Sequence, residues 1–573
     1  MRHDKLSRYR QADTLPQVNR LWPLYGTGFE NLGRSRQPIE EAMPTYGPDE
    51  ILVRHDGAGI CFTDIKIMTE GPQRYRVSRN MQQEPVVLGH EVTLTVVGVG
   101  EHLHDQYRVG DRFVVQPALY VGGVLCPYGV TIRGGMSQYN VVDQRVLNSD
   151  DGNHLLPVQP GAGYVESALV EPWTCVLVTY QLEYRTGIKP NGATWMIGTP
   201  QARDDYFFGT GFDERSHPAC LALTQISEPL ATRFRARATQ LQVEVVDLSL
   251  ATLDDPTAET PRFDDIIILG PDPDLIEVAS RRLAPGGVMA IMATAPLARP
   301  VQVDIGRLHY NSWTYVGGPG PDIARAYSDH PIRAELKPGG KCWFVGAGGP
   351  MGQMHMQRAV FLPHPPAAIL CTARTPHRLR ALEVSFGLDS QARGIKVVCL
   401  SLDSEVYAQR FAEIAGTGFD DIIVMALSPT AIAEAATYLA PGGVMNVFAG
   451  LMRGTLVPLD LSAVYQKNIR FIGHMGSTVE DMRQTLAQID AKQLDPNRSV
   501  RAIGSLTAAR EGLQAVHEAR FPGKVVILPQ IKDFPLTPLS DLKQKLPTVY
   551  ARLKDGQEWT AEAENEFLEL MLP

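Results

Sequence analysis

The sequence predicts an α/β protein with a β-rich N-terminal region and two tandem doubly wound parallel-sheet units, the first degenerate. Three observations carry this. Short apolar runs separated by turn residues fill residues 51–117. A long segment is duplicated further along the chain. Within each duplicate, apolar strands alternate with helical stretches, which is the pattern of a parallel sheet covered on both faces.

The strands come first. ILVRHDGAGI (51–60), VVLGHEVTLTVVGVG (86–100) and RFVVQP (112–117) are rich in β-branched residues and bounded by Gly, Pro and Asp. The first 45 residues read as irregular, with Pro and Gly breakers. VESALVEPWTCVLVTYQLEY, from 165, is apolar at helical spacing and reads as a helix.

The duplication is direct. FDDIIILG at 263–270 matches FDDIIVMA at 419–426, and RLAPGGVMAIMA at 282–293 matches YLAPGGVMNVFA at 438–449. Asp304 falls opposite Asp460, and VGG at 316–318 opposite IGH at 472–474, at a constant offset of 156. Upstream, GATWMIG (192–198) echoes GKCWFVG (340–346) at an offset of 148. Two copies of one unit result, roughly 190–333 and 337–475.

In the second copy a strand, CWFVG, runs into GAGGPMGQMHMQRAV, where Gly346, Gly348, Gly349 and Gly352 crowd the turn. Glycine lets a backbone turn sharply and approach a pyrophosphate, and the following helix offers free N–H groups to it. A plain structural turn is the alternative. The turn follows a strand, opens a helix and begins a repeating unit, which favours a dinucleotide cradle in a Rossmann-like domain. The first copy has TPQARDDYFFGTG instead, with Asp204 and Asp205 where phosphates would sit. Carboxylates there repel a pyrophosphate. The first copy is therefore expected to keep the fold without the cofactor, and to serve packing, oligomer contacts or substrate access. After the second strand of the second copy there is no acid for ribose hydroxyls, but Arg374 and Arg378 are present. That leans the choice within NAD(P)(H) to NADP(H), with an ordinary helix-surface arginine as the alternative for Arg378.

The β-rich region holds GICFTDIK (59–66) and LGHEV (88–92). Cys, His and carboxylates are the usual zinc ligands, yet the spacing of Cys61 and His90 is a weak signal by itself: a lone Cys beside a strand is usually a small buried hydrophobe and a lone His more often simply hydrogen-bonded. The order GICxTD, GHE, a glycine turn and a returning PGKVV resembles the zinc-containing medium-chain dehydrogenase/reductase family of alcohol, sorbitol and threonine dehydrogenases. It does so over 44–185 and about 337–530. The wording GHE, EPWTCV is most similar to its L-sorbose-1-phosphate reductase-like members.

The resemblance implies a GroES-like catalytic domain and one catalytic zinc. It makes Cys61 and His90 zinc ligands, and Glu91 a ligand or the acid just behind the metal. Thr63 becomes the hydroxyl that starts a proton relay, and Asp64 a carboxylate that orients the ligating His. Glu171 matches the EP motif of the polyol and threonine branch, where Glu lies at the metal; Cys175 is nearby but out of register. Lys66, where the alcohol branch often has His, is expected to be a solvated lysine. QPALYVGGVLCPYGVTIRGG carries only Cys126, so no structural zinc is expected. The extra unit at 190–333 is outside the usual plan. The implied function is hydride transfer between NAD(P) and a secondary alcohol or ketone, of a polyol, sugar or sugar phosphate. The alternatives are a zinc-free quinone or enoyl reductase of the same superfamily, and a non-catalytic nucleotide sensor.

The expected domains are 1–185, completed by 476–533; 190–333; 337–475; and a helical tail, 534–573. A net charge of −9, with RFRARA (233–238) as the densest basic cluster, argues against a nucleic-acid partner. That cluster reads as a solvated helix face. Seven scattered cysteines without CxxC argue against a disulfide framework. The N-terminus has no apolar signal core and no apolar stretch approaches ~20 residues. The expectation is a soluble, cytoplasmic homo-oligomer acting on a small molecule, without a membrane.

Overall fold

The computed structural model describes residues 4–12, 15–75, 79–249, 262–329, 333–474 and 476–573. The chain divides into two compact units. One comprises Met1–Leu177, Gly349–Met354 and Gly476–Pro573, the other Val178–Gly348 and His355–Met475.

The first unit is built on an eight-stranded sheet. Its order is Leu155–Pro157, Arg112–Val115, Glu91–Val99, Ile51–Gly59, Lys524–Leu528, Val500–Ser505 and Thr537–Pro538, with Tyr139–Val142 also on Ile51–Gly59. Ile51–Gly59 and Glu91–Val99 are buried at every residue. Neither faces solvent, so neither alternates. Polar residues in them must therefore find partners inside. Asp56 does so with the guanidinium of Arg54 at 2.7 Å, the hydroxyl of Thr95 at 2.5 Å and the hydroxyl of Tyr9. Tyr9 lies on a helix, Asp4–Gln11, and stacks under Arg54, 3.5 Å from its ring centroid. The N-terminal segment is thus not simply irregular: a buried ion pair anchors it.

Two other sequence readings change in detail. The expected helix from 165 is two short helices, Tyr164–Ala168 and Val170–Val178, broken at Leu169. The C-terminal forty residues are mostly helical but are not a loose tail. Thr537–Pro538 joins the sheet, and the Glu564 carboxylate, 2% exposed, accepts the N–H groups of Tyr164 and Val165 at 2.6 and 2.8 Å. A carboxylate at a helix N-terminus meets its unpaired donors.

The second unit holds two six-stranded parallel sheets of identical order, 3-2-1-4-5-6. In the first repeat this is Glu244–Asp247, Cys220–Thr224, Ala193–Gly198, Phe263–Leu269, Leu283–Met292 and Thr314–Gly318. In the second it is Lys396–Ser401, Ala368–Ala373, Lys341–Val345, Phe419–Val424, Leu439–Val447 and Arg470–Ile472. The repeats agree in side-chain detail. Asp265 holds Arg185 and the backbone N–H of Lys189, as Asp421 holds Arg333 and the N–H of Lys337. The indole N–H of Trp195 donates to Thr224 Oγ1 at 2.9 Å, and that of Trp343 to Thr372 Oγ1 at 2.9 Å. Arg185 and Arg333, Lys189 and Lys337, Trp195 and Trp343, and Thr224 and Thr372 keep the offset of 148, whereas Asp265 and Asp421 keep the offset of 156. RFRARA lies in the helix Glu228–Leu241, where Phe234 and Ala238 are buried and the arginines lie partly or fully exposed.

The repeats part company after their first strand. In the second, Lys341–Val345 leads through the glycine turn into the helix Pro350–Phe361. In the first, 199–219 contains no helix, although the spacing to the next strand is the same. Asp204 and Asp205 are exposed loop residues there, with Asp205 paired to Arg203. The difference is thus larger than two charges, because the helix that follows the first strand in the second repeat is absent here. Tyr206 and Phe212 fill the space by packing on Leu230 and Phe234.

His55, in the middle of the first unit's sheet, is buried with its two ring nitrogens on Ser137 O (2.9 Å) and Tyr128 Oη (2.7 Å). Burial pushes its pKa from 6.5 down to about 4, against the Ser137 carbonyl and Asp56. Below pH 6.5 the unfolded chain takes up a proton that the folded one refuses until about pH 4, so stability is full above this window and falls through it. From pH 6.5 to pH 5 the loss is about 2 kcal/mol. His55→Gln is expected to remove that share of the acid sensitivity, measured as the difference in urea unfolding free energy between pH 7 and pH 5.

Candidate active site

The site is assembled where three segments of the first unit meet. The strand Ile51–Gly59 is followed by Ile60, and Cys61 caps the helix Phe62–Glu70. Asp64, in the first turn, accepts the backbone N–H of Cys61 at 2.9 Å and that of Gly89 at 3.2 Å. One buried carboxylate thereby ties the helix start to the Leu88–His90 turn. Gly89 has φ +99°, and a Cβ there would lie 3.0 Å from the Gly135 nitrogen, so the turn requires glycine. The same Asp64 lies 3.3 Å from His90 Nδ1, which leaves Nε2 for another partner.

Glu91 opens the next strand directly opposite Gly59. A Cβ at 59 would run into the Glu91 carboxylate, so the side chain occupies the space that glycine leaves. On the other side of Ile51–Gly59 lies Lys524–Leu528. Lys524 Nζ donates to Glu91 Oε1 at 2.5 Å and to the Ile60 carbonyl at 3.2 Å. Both members of this ion pair are almost wholly buried, 0% and 2% exposed. Glu91 Oε2 is also buried and has no hydrogen-bond partner.

Donor atoms of Cys61, His90 and Glu91 all lie within 4.8 Å of one another. Glu171, on Val170–Val178, is outside this tight group but borders it. It accepts a hydrogen bond from Cys175 Sγ at 3.4 Å and interacts electrostatically with His90, Glu91 and Lys524. Burial raises the Glu171 pKa, with His90 pulling it down and Glu91 pushing it up. Burial disfavours the charged form of His90, but Asp64 and Cys61 outweigh it and hold its pKa well above 6.5. Lys524 is likewise raised, burial being overcome by Glu91 and Cys61. Burial, with Glu171 and Cys61, drives the Cys175 thiol up. The site thus gathers the carboxylates of Asp64, Glu91 and Glu171 and the sulfurs of Cys61 and Cys175 around His90 and Lys524. A cysteine sulfur, an imidazole and a carboxylate with an orphaned oxygen form a donor set that fits Zn²⁺.

Thr63 is half-buried on the first turn of the helix, two residues from Cys61, and Lys66 lies one turn on, 5.9 Å from the Phe62 ring centroid. Sequence reasoning missed Lys524 and Gly59. A lysine opening the fully buried strand KVVIL was the available signal, since a buried charge needs a partner.

In the second unit, Gly346 has φ +80°, and a Cβ there would lie 2.8 Å from the Ala426 nitrogen. A Cβ on Gly348 would touch Ala373 Cβ and Arg378 Cβ, at 3.1 and 3.4 Å. Arg378 therefore lies over the glycine turn. Its Nε is buried without a partner, and burial lowers its pKa. Arg374 is exposed just past the Ala368–Ala373 strand. The Gly349 carbonyl accepts the N–H of Gln353, and Gly352 lies within the helix Pro350–Phe361. The carboxyl ends of such strands are where doubly wound sheets take ligands.

Residues 47–149 match the alcohol dehydrogenase GroES-like domain family. Mannitol-1-phosphate 5-dehydrogenase of Aliivibrio fischeri is 25% identical over 301 residues, 48% of this chain and 70% of that protein. L-sorbose 1-phosphate reductase of Klebsiella pneumoniae is 26% identical over 296 residues, 48% of this chain and 71% of that one. Among solved structures, 2R,3R-butanediol dehydrogenase from Bacillus subtilis superposes with a TM-score of 0.50 at 14% identity, covering 89% of this chain and 99% of that one. This chain carries an alcohol dehydrogenase GroES-like domain and has the fold of the medium-chain dehydrogenases/reductases, the family its motifs resemble.

Proposed function

We propose that this protein is a zinc-dependent oxidoreductase that moves a hydride between NAD(P) and a secondary alcohol or ketone of the polyol, sugar or sugar-phosphate class. The observation that carries the proposal is the close grouping of Cys61, His90 and the buried Glu91 with its orphaned carboxylate oxygen. The two relatives named above, a mannitol-1-phosphate dehydrogenase and an L-sorbose 1-phosphate reductase, support the substrate class.

In this reading Cys61, His90 and Glu91 hold the zinc, with Glu171 beside them as the alternative carboxylate ligand. The bound ion would act as a Lewis acid on the substrate oxygen. Asp64 sits at His90 Nδ1 and would orient the ring so that Nε2 is left for the ion. Lys524 holds Glu91 through one oxygen and leaves the other for the ion. Thr63 takes the substrate proton toward solvent. The nicotinamide supplies the hydride chemistry, and the Gly346, Gly348, Gly349 and Gly352 turn seats its pyrophosphate. Arg374 and Arg378 suit a 2′-phosphate, which favours NADP(H). No helix among the described residues is long and apolar enough to cross a membrane. A cytoplasmic setting suits the reading, since it keeps thiols such as Cys61 reduced.

The test is zinc analysis of the purified chain together with NADPH and NADH oxidation over ketoses, ketose phosphates and polyols. One zinc per chain and turnover of at least one sugar phosphate or polyol are expected. Turnover of quinones or enones without metal would replace this function with a zinc-free reductase, and cofactor binding without any turnover would make the chain a sensor. Cys61→Ser and His90→Ala are expected to lose the zinc and to lower kcat by about 100-fold or more, since electrophilic stabilisation of this kind is worth several kcal/mol. Lys524→Met strands Glu91 as a lone buried charge. It should weaken zinc retention by about 10–100-fold and cost about 3 kcal/mol of stability, read by chelator competition and urea unfolding. Replacing Arg374 and Arg378 together with Ala should raise KM for NADPH by about tenfold and leave that for NADH unchanged.

A further inference from the structure

The two repeats of the second unit do more than resemble one another. The strand Val301–Asp304 of the first pairs antiparallel with Leu456–Leu459 of the second, and the register centres on Gln302 opposite Pro458. Those two residues are equivalent at the offset of 156. The flanking pairs are reciprocal: Val301 meets Leu459, and Val303 meets Val457. Since Val303 is the counterpart of Leu459, and Val301 of Val457, each contact maps onto the other when the repeats are exchanged. That is the signature of a two-fold, self-complementary interface.

The packing around the axis follows the same rule. Ile276, Ile305, Leu308 and Tyr315 of the first repeat share one core with their counterparts Ile432, Leu461, Val464 and Phe471 of the second. Backbone and side chain lock across the axis too. The Leu297 N–H donates to Ser462 Oγ at 2.9 Å, and the Tyr465 hydroxyl donates to the Ala295 carbonyl at 2.8 Å.

The geometry points to a role for the degenerate repeat: it is a built-in partner that closes, within one chain, the two-fold face of the dinucleotide-binding repeat. Cofactor capacity was lost from one half while the pairing surface was kept. The physical preference is clear. Tethered repeats meet at an effective concentration of about millimolar, far above the micromolar level at which separate chains meet. The face is then filled before a second molecule arrives, and a homo-oligomer of this chain needs another surface. The partner also braces the ligand-side edge of the working sheet. His309 Nδ1 lies 3.0 Å from the Val447 carbonyl, and a Cβ on Gly450 would lie 2.8 Å from the Tyr310 hydroxyl. The helix Ile305–Tyr310 thus supports the loop that follows Leu439–Val447.

The test does not depend on any catalytic assay. Gln302→Cys and Pro458→Cys are combined in the full chain, which is oxidised at micromolar concentration and examined on a non-reducing gel with peptide mapping. A 302–458 bond within a single-chain species of 63.0 kDa is expected. A two-chain species joined through these positions, or no such bond, would overturn the inference. The unmodified chain supplies a second readout by hydrogen–deuterium exchange at 301–304 and 456–459. Protection there should be unchanged over an about 100-fold dilution, because an intrachain contact has no concentration dependence. Protection that falls on dilution would show that separate chains make the interface.

Discussion

One oxygen of Glu91 rests on the ammonium of Lys524, and the other rests on nothing in the protein. Much of the first unit is arranged so that this is possible. A lone buried carboxylate is untenable, and a fully paired one has no use for a metal. The pairing of three strands resolves this. Glu91 is opposite Gly59 on one side of the central strand, and Lys524 arrives on the strand at its other side. The lysine is supplied from more than 430 residues along the chain. Closing the sheet with a C-terminal strand is therefore also what completes the charge balance of the site.

Asp64 works as the second clamp. Its two oxygens hold the start of the cysteine-bearing helix and the turn that carries the histidine, so Cys61 and His90 are placed by a single group. Both clamps are buried carboxylates, and burial makes each hydrogen bond stronger and each missing partner costlier than at the surface.

The second unit illustrates how duplication separates fold from function. The Asp–Arg and Trp–Thr pairs that join strands to their flanking segments persist in both copies. They join strand to flanking segment in the same way in each repeat. The glycine turn and its helix persist in one copy only. The interior therefore retained what packing demands, and the ligand-side loop was free to change.

The sequence by itself determined the strand–helix alternation, the duplication with its offset, the glycine turn, and the motifs that hold Cys61, His90 and Glu91. These are local patterns: period, spacing and residue type survive in a one-dimensional string. The anchored N-terminal helix, the break at Leu169, the missing helix after Gly198 and the strand at Thr537–Pro538 were not legible, because each is decided by what lies against it in space. The same holds at the site. Lys524 and Gly59 gain their meaning only from Glu91, and the two-fold pairing of the repeats only from a strand register that no local pattern encodes. Long-range partners are set by burial, which forces every enclosed charge and every apolar face to find its complement wherever the folded chain brings one.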